Sequence, residues 1–419
     1  MTVANEPAAP YGLFQAFGVE LEYMIVDRAD LDVKPLADEL LRDVAGEFVS
    51  EVEMGSIAWS NELALHVVEL KTNGPARSLA CLPADFLDNV RHINRLLAPR
   101  NGRLLPTAMH PWMDPHRELK LWPHEYNAVY EAYDRIFDCR GHGWANLQSV
   151  HLNLPFANDE EFGRLHAAVR LLMPLMPALA ASSPVMERQF TGWLDTRMRV
   201  YRTNSARVPS ITGAVIPEPI FSRDEYDAQV FARIHQDIQP LDPSGVLRGE
   251  WMNARGAIAR FDRGAIEVRV LDVQETPMAD LAICSFLVNV LRVLTGEHWT
   301  STAEQRAFDT VGLAELLWRV CQQGEQAVVS DADLLRQFGI SAGKATAGEV
   351  WQHLGEDPAL PTVAGAEQPL TQALRTILDH GPLARRIERA VVGRRRSLRD
   401  VYAELGDCLE SGRMFEVAD

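Results

Sequence analysis

Phe17-Gly18-Val19-Glu20-Leu21-Glu22-Tyr23 alternates acidic and aliphatic residues with a period of two. Read as a β-strand, it sends Glu20 and Glu22 to one face and Val19 and Leu21 to the other. Three later segments repeat the device: Glu62 to Glu69, Gln148 to Asn153, and Ala265 to Asp272. They pair His151 with Asn153 and Glu267 with Arg269 on one side, opposite Val150, Leu152, Ile266, Val268 and Val270. A sheet with one apolar face and one lined by carboxylates points to a site for metal and phosphate.

The 419 residues allow one large unit or several lobes. An apolar share of 47% with 24% charged residues is ordinary for a globular chain. No tract of about 18 or more apolar residues is expected to span a bilayer, so no membrane partner is expected. Met1 to Pro10 has neither the basic start nor the apolar stretch of a secretory signal, and the expected address is the cytoplasm. Five cysteines, scattered and odd in number, argue against a disulfide framework or a clustered zinc site and read as buried small hydrophobes. With 58 acidic against 41 basic residues, the net charge of −17 disfavours nucleic acid as a partner.

Strands are expected over 15–28 and 62–73, with a helix from Pro35 to about Val49 between them. Phe86, Val90, Ile93 and Leu97 recur at helical spacing over 84–97, ended by Pro99. A short strand at 104–108, an irregular loop at His110-Pro111-Trp112 and a helix from about His124 to Phe137 follow. Asn158 with Asp159, Glu160 and Glu161 offers a cap and an acidic first turn to a helix that Pro174 and Pro177 should break. From Thr276 onward the pattern is helical, with turns near 355–368. Two portions are expected: 1–300, carrying the acidic strands, and a mainly helical 301–419 packed on it.

Two acids one residue apart on a strand lie roughly 7 Å apart, and their repulsion calls for a cation. Mg²⁺ takes oxygen ligands and shares its shell with water and phosphates, which suits such a pair. The plain alternative for Glu20 and Glu22 is a solvated strand face. Glu62 and Glu69 differ in parity, so either Glu62 sits on the turn before the strand or a bulge intervenes. A lone histidine in an apolar setting, as at His151, is more often a hydrogen-bonded core residue than a ligand, and Glu267 with Arg269 has the plain reading of an intrastrand ion pair. Arg197, Arg199, Arg202 and Arg207 read as a solvated basic face or as clamps for phosphate or carboxylate. No phosphate loop, dinucleotide fingerprint, His-Glu-x-x-His or Gly-x-Ser-x-Gly occurs, so an ATP user would hold its nucleotide through metals and arginines.

Taken together, the segments resemble the glutamate–cysteine ligase family, in its second, bacterial carboxylate–amine ligase type, within the glutamine synthetase superfamily. Gly18 to Glu22 looks like that family's opening Gly-Val-Glu-x-Glu strand. Val68-Glu69-Leu70-Lys71-Thr72, with Glu62 seven residues before Glu69, is similar to its second acidic pair. Met109-His110-Pro111, Gln148 to Asn153, Ala180-Ala181-Ser182-Ser183-Pro184 and Ile266 to Asp272 match its loop, histidine strand, serine turn and last strand. The likeness covers roughly 15–295. Ser149-Val150-His151-Leu152-Asn153 departs from the common His-Val-His-Val-Gly, and the stretch after Asp195 departs from Asp-Thr-Gly-Tyr.

The resemblance implies an α+β, glutamine synthetase-like fold: a curved, mainly antiparallel sheet with a carboxylate-lined concave face, helices on the other face and a helical C-terminal portion. It implies one metal site from Glu22, Glu62 and Glu69 and another from Glu20, His151 and Glu267. Arg269 would lie near the transferring phosphoryl group with Glu267 beside it, and Asn153, Arg199 and Arg202 would contact the nucleotide. The activity implied is ATP- and Mg²⁺-dependent ligation, with Mn²⁺ as a substitute ion. A small-molecule carboxylate, such as the γ-carboxylate of glutamate, would join an amine such as cysteine through an acyl phosphate. Self-association into a homo-oligomer is implied by analogy. The competing readings are a non-catalytic nucleotide or metabolite binder on the same fold, a guanidino phosphotransferase, and a metal-dependent hydrolase.

Overall fold

A computed structural model describes residues 11–360 and 368–417. The expected turns near 355–368 therefore fall partly outside the described residues, as does Met1 to Pro10.

The acidic strands gather in one eight-stranded sheet. Its members are β1 (Gly18–Asp27), β2 (Glu51–Met54), β3 (Ile57–Asn61), β4 (Val67–Thr72), β5 (Gly102–Leu105), β6 (Ser149–Pro155), and two strands called β9 (Ala257–Arg260) and β10 (Ala265–Asp272). Between these last two and β6 comes the small β7 (Val185–Met186) and β8 (Gln189–Phe190) hairpin, and β11 (Val328–Val329) pairs β12 (Ala345–Thr346) further on. The order is β2-β3-β4-β1-β6-β10-β9, every pairing antiparallel. β1 is long enough to serve two neighbourhoods: its first half pairs β4 and β6, and Met24 to Asp27 pair β5.

Val19, Leu21, Val68, Leu70, Val150, Leu152, Ile266, Val268 and Val270 are all essentially inaccessible and join one hydrophobic core. The helix Leu82–Leu97 contributes Phe86, Val90, Ile93 and Leu97 to it, and the helices Asp159–Leu172 and Pro277–Thr295 join the same core. Burying an aliphatic side chain of this size stabilises by about 1.5–3 kcal/mol, so the apolar face fixes which face is left for the acids.

The Asn158 side chain caps the Asp159 helix by accepting from the Glu161 N–H at 3.0 Å. That helix stops at Leu172, and a 3-10 turn and a short helix starting at Pro177 carry the chain to Ala180, where the two prolines break the hydrogen-bond ladder. Other boundaries moved. The first helix runs Ala37–Ala45, the short strand lies at Gly102–Leu105, and Pro99 sits inside a 3-10 turn. The β2–β3 hairpin and β9 had no counterpart in the sequence reading.

Two expectations are corrected. Pro277–Thr295 is a 19-residue helix long and apolar enough by length and composition to cross a membrane, with 78% of its apolar window buried inside the protein. It is a core helix wedged among other helices, which explains its all-round hydrophobicity. Of the five cysteines, Cys81 is exposed while the other four are buried.

After residue 300 the described chain is mainly helical and packs back on what precedes it. Trp351 Nε1 donates to the Leu175 carbonyl at 2.9 Å, Arg103 Nη1 bonds Asp407 at 3.0 Å, and the buried Arg386 pairs with the buried Glu275.

Candidate active site

The sheet register sets the polar face in rows. Across β2, β3, β4 and β1, Glu51 stands opposite Ser60, Ser60 opposite Glu69, and Glu69 opposite Glu22. Two residues along, Ala58 faces Lys71, Lys71 faces Glu20, and Glu20 faces His151 of β6. Two further, Gly18 faces Asn153, and Asn153 faces Glu267 of β10. The two-residue pleat keeps all of them on one side. All of them except Ser60 line a cavity of about 780 Å³ that also takes in Trp144, Tyr201, Arg197, Arg260, Arg263 and Arg269.

Glu62 lies just after β3, in the turn before β4, which resolves its parity conflict with Glu69. From that turn its carboxylate joins those of Glu22 and Glu69, with one oxygen from each lying within 4.8 Å of the others. A second group of the same tightness consists of Glu20, Glu69 and His151, so Glu69 belongs to both. Glu267 is drawn elsewhere. Its Oε1 lies 2.5 Å from Arg269 Nε, its Oε2 3.4 Å from Arg260 Nη1, and it approaches His151 Nδ1 only to 4.0 Å. Two guanidiniums compete for the carboxylate that the sequence reading grouped with Glu20 and His151.

The hydrogen bonds order the cluster. Ser60 Oγ donates to Glu69 at 2.7 Å, and Lys71 Nζ reaches Glu51 at 2.7 Å and Glu69 at 3.3 Å. Glu22 Oε2 accepts from the Ser149 N–H at 2.7 Å and from its hydroxyl at 3.1 Å. His151 binds Glu20 through Nδ1 at 2.7 Å and Ser149 Oγ through Nε2 at 2.9 Å, and Asn153 Nδ2 donates to Glu20 at 3.2 Å. Among the described residues no donor reaches the Glu62 carboxylate.

Burial and like charge then act on protonation. Burial, followed by the charges of Glu22 and Glu69, holds the Glu62 carboxyl well above the usual range. Burial and Glu20 push Glu69 up to about 7, against the pull of Lys71 and Ser60. Glu20 goes the other way: burial opposes ionisation, but the bond to His151 and the charges of His151, Arg269 and Lys71 bring it down to about 2. Burial works against charging His151, yet Glu20, Glu22 and Glu267 lift it to about 9. A cluster in which some acids stay protonated and a histidine takes up a proton is short of positive charge. The donor set, carboxylate oxygens with one imidazole, fits a hard divalent cation.

Arg199 and Arg202 do not join the cavity wall. Both are exposed, with their guanidiniums over the Trp193 ring at 5.6 and 5.9 Å, and Arg202 also over Trp318 at 5.0 Å. The helix Thr196–Tyr201 explains the correction: at about 100° per residue, Arg197 turns inward and Arg199, two positions on, turns outward. Arg207 is exposed too and bonds the Ile136 carbonyl at 2.9 Å. Lys71, Arg260 and Arg263 are cavity residues the sequence reading did not single out. Lys71 shares the parity of Glu69 in a stretch already quoted, whereas nothing in the sequence marked β9 as the strand that delivers Arg260.

Comparison with known proteins follows the same line. The model of the glutamate–cysteine ligase family 2 matches residues 16–404. An uncharacterized protein of Archaeoglobus fulgidus is 36% identical over 277 residues, 66% of this chain and 73% of its own. The glutamate–cysteine ligase EgtA of Mycolicibacterium smegmatis is 28% identical over 252 residues, 58% of this chain and 56% of its own. The crystal structure of a glutamate–cysteine ligase of Francisella tularensis in complex with AMP superposes with a TM-score of 0.58, covering 97% of this chain and 91% of that one at 15% identity. At that identity the likeness bears on the fold.

Proposed function

The chain belongs to the glutamate–cysteine ligase family 2, which makes it an ATP-dependent ligase of the carboxylate–amine type, and from that premise we propose that it forms a γ-glutamyl amide through an acyl phosphate. The observation that carries the reading is the crowding of Glu20, Glu22, Glu62, Glu69 and His151 on one sheet face, with arginines on the same cavity wall.

A carboxylate is a poor acyl donor at neutral pH. In the proposed sequence a substrate carboxylate oxygen attacks the γ-phosphorus of ATP, the bond to the β-phosphate oxygen breaks and ADP leaves. The amine nitrogen then attacks the acyl carbon, the carbon–oxygen bond to phosphate breaks, and the ammonium gives up a proton as the amide forms. Glu22, Glu62 and Glu69 would hold one Mg²⁺, and Glu20 and His151, with Glu69 between the two groups, would hold another. When bound, such ions offset charge on the phosphate oxygens. Arg269, set by Glu267 and by its own backbone contacts, presents a guanidinium to the phosphoryl group, where charge spreads over equatorial oxygens. Asn153 steadies Glu20, and Arg260 steadies Glu267. The portion 1–300 carries this machinery and 301–419 braces it.

The test is incubation with ATP, Mg²⁺, glutamate and a pool of amines, following phosphate and condensed products by mass spectrometry. Amine-dependent phosphate release with a product heavier by the amine is expected, and Glu20→Gln or Glu267→Gln should abolish it. A stable phosphorylated acceptor would favour guanidino phosphotransfer, turnover without ATP a hydrolase, and nucleotide binding without turnover a non-catalytic binder.

A further inference from the structure

From Arg197, at the cavity wall, a buried polar network runs into the interior that the chemistry above does not use. In β10 the register slips: Val268 faces Leu152 and Leu271 faces Val150, so three steps on β10 answer two on β6. Arg269 sits inside this bulge. Its N–H donates to the Gly256 carbonyl at 2.8 Å, and its own carbonyl accepts from both terminal nitrogens of Arg197, each at 3.2 Å. Arg197 Nε is bonded to Asp272 Oδ1 at 2.5 Å. The other Asp272 oxygen accepts from the Ser182 N–H and the Ser183 hydroxyl, both at 2.8 Å, and Ser183 Oγ accepts from the Arg197 N–H at 3.1 Å. The Ser182 hydroxyl donates to the Val273 carbonyl at 2.8 Å and accepts from the Ala108 N–H at 3.0 Å. Arg197 is 2% exposed, and Asp272, Ser182 and Ser183 not at all.

A buried ion pair is weak support for stability as such, because apolar residues of like volume would often serve as well. This one spends both terminal guanidinium nitrogens on the main chain of one residue, at a bulge, and bulges re-aim side chains. We propose that Arg197, held by Asp272, is a positioning residue: it locks the backbone of Arg269 so that the guanidinium is aimed at Glu267 and the cavity. The serine turn Ala180 to Pro184 and the Ala108 N–H are the anchors of that lock, which gives the serine motif a task away from the substrates. The inference rests on the reading of Arg269 as the phosphoryl contact.

Arg197→Lys keeps a charge beside Asp272 but cannot give the Arg269 carbonyl two donors. It is assayed by hydroxamate formation with hydroxylamine as the amine, ATP, Mg²⁺ and the carboxylate that supports wild-type turnover. A loss in kcat of about 30-fold or more is expected, since displacement of a catalytic group by about 1 Å can cost on the order of 100-fold. KM values should move by less than about threefold. In a double-mutant cycle, Arg197→Lys with Arg269→Lys should be no slower than Arg269→Lys alone. Losses that multiply would overturn the inference and leave the role of Arg269 standing. Full kcat in Arg269→Lys would remove that role and the inference with it. A lowered melting temperature with unchanged kcat in Arg197→Lys would reduce the network to a structural brace. Should Arg197→Lys not fold, Ser183→Ala, which deletes one bond to Asp272, enters the same cycle with a smaller expected loss and the same criterion.

Discussion

Replacing Glu62 by glutamine should stabilise the metal-free protein and, in the same stroke, abolish its stabilisation by Mg²⁺. Glu22, Glu62 and Glu69 bring their oxygens within 4.8 Å of one another. Two unit charges at that distance repel by ~3 kcal/mol at an effective dielectric constant of about 20. Glu62 takes part in two of the three pairs and, among the described residues, has no donor to compensate. The cluster escapes part of the repulsion by favouring a proton on Glu62, whose carboxyl burial and the charges of Glu22 and Glu69 hold well above the usual range, so the relief at pH 8 is about 1–3 kcal/mol rather than the full sum. For 419 residues, at about 2 cal/mol/K of unfolding entropy per residue, each kcal/mol moves the melting temperature by about 1 °C. In EDTA at pH 8, Glu62→Gln should therefore melt about 1–3 °C above wild type. With Mg²⁺ at about 100 times its dissociation constant, wild type should gain ~2.7 kcal/mol and the variant almost nothing. Differential scanning calorimetry in both buffers gives the four values. A variant that melts lower than wild type in EDTA, yet keeps the Mg²⁺ response, would refute the reasoning that these acids crowd in order to share a cation.

Burial holds three imidazoles neutral, His66 at about 3, His110 at about 4 and His166 at about 3. Their folded values lie below the unfolded 6.5, so the stability they contribute is present above 6.5 and is lost as the pH falls, because the unfolded chain takes protons the fold refuses. Between pH 6.5 and 5.5 the three together should cost roughly 3 kcal/mol in denaturant titrations, and His166→Phe should remove about a third of that slope. Gly256→Ala should destabilise by about 1–3 kcal/mol, because the new Cβ would stand 2.4 Å from Val270 Cγ1 and 2.9 Å from Met173 Sδ; an unchanged denaturation midpoint would show that this corner yields. Arg199→Ala and Arg202→Ala should leave kcat within about twofold while losing about 0.5–1 kcal/mol of stability with their indole contacts; a tenfold drop in kcat would return them to the site.

The strands that carry the acids were legible because period-two alternation records both faces at once: β1, β4, β6 and β10 each set a polar row against an aliphatic one. β3 and β9 were not, because Ile57 to Ser60 and Ala257 to Arg260 are buried residue after residue, and a strand covered on both sides leaves no alternation to read. β2, four residues long at the sheet edge, is too short to carry a pattern. The grouping of Glu69 with both acid clusters, and the capture of Glu267 by two arginines, depend on which neighbours flank each strand. Parity along one strand holds no information about that. The row of arginines misled for a similar reason: spacing in sequence placed Arg197, Arg199 and Arg202 together, while the helix turned only Arg197 toward the cavity.

The central claim, a carboxylate activated as an acyl phosphate on a cation-binding sheet face, is tested most directly by oxygen transfer. Glutamate labelled with ¹⁸O in its γ-carboxylate is incubated with the protein, ATP, Mg²⁺ and hydroxylamine, and the phosphate released is weighed by mass spectrometry. The account predicts one labelled oxygen in phosphate for each hydroxamate formed. Hydroxamate formed while the released phosphate carries no label would contradict it.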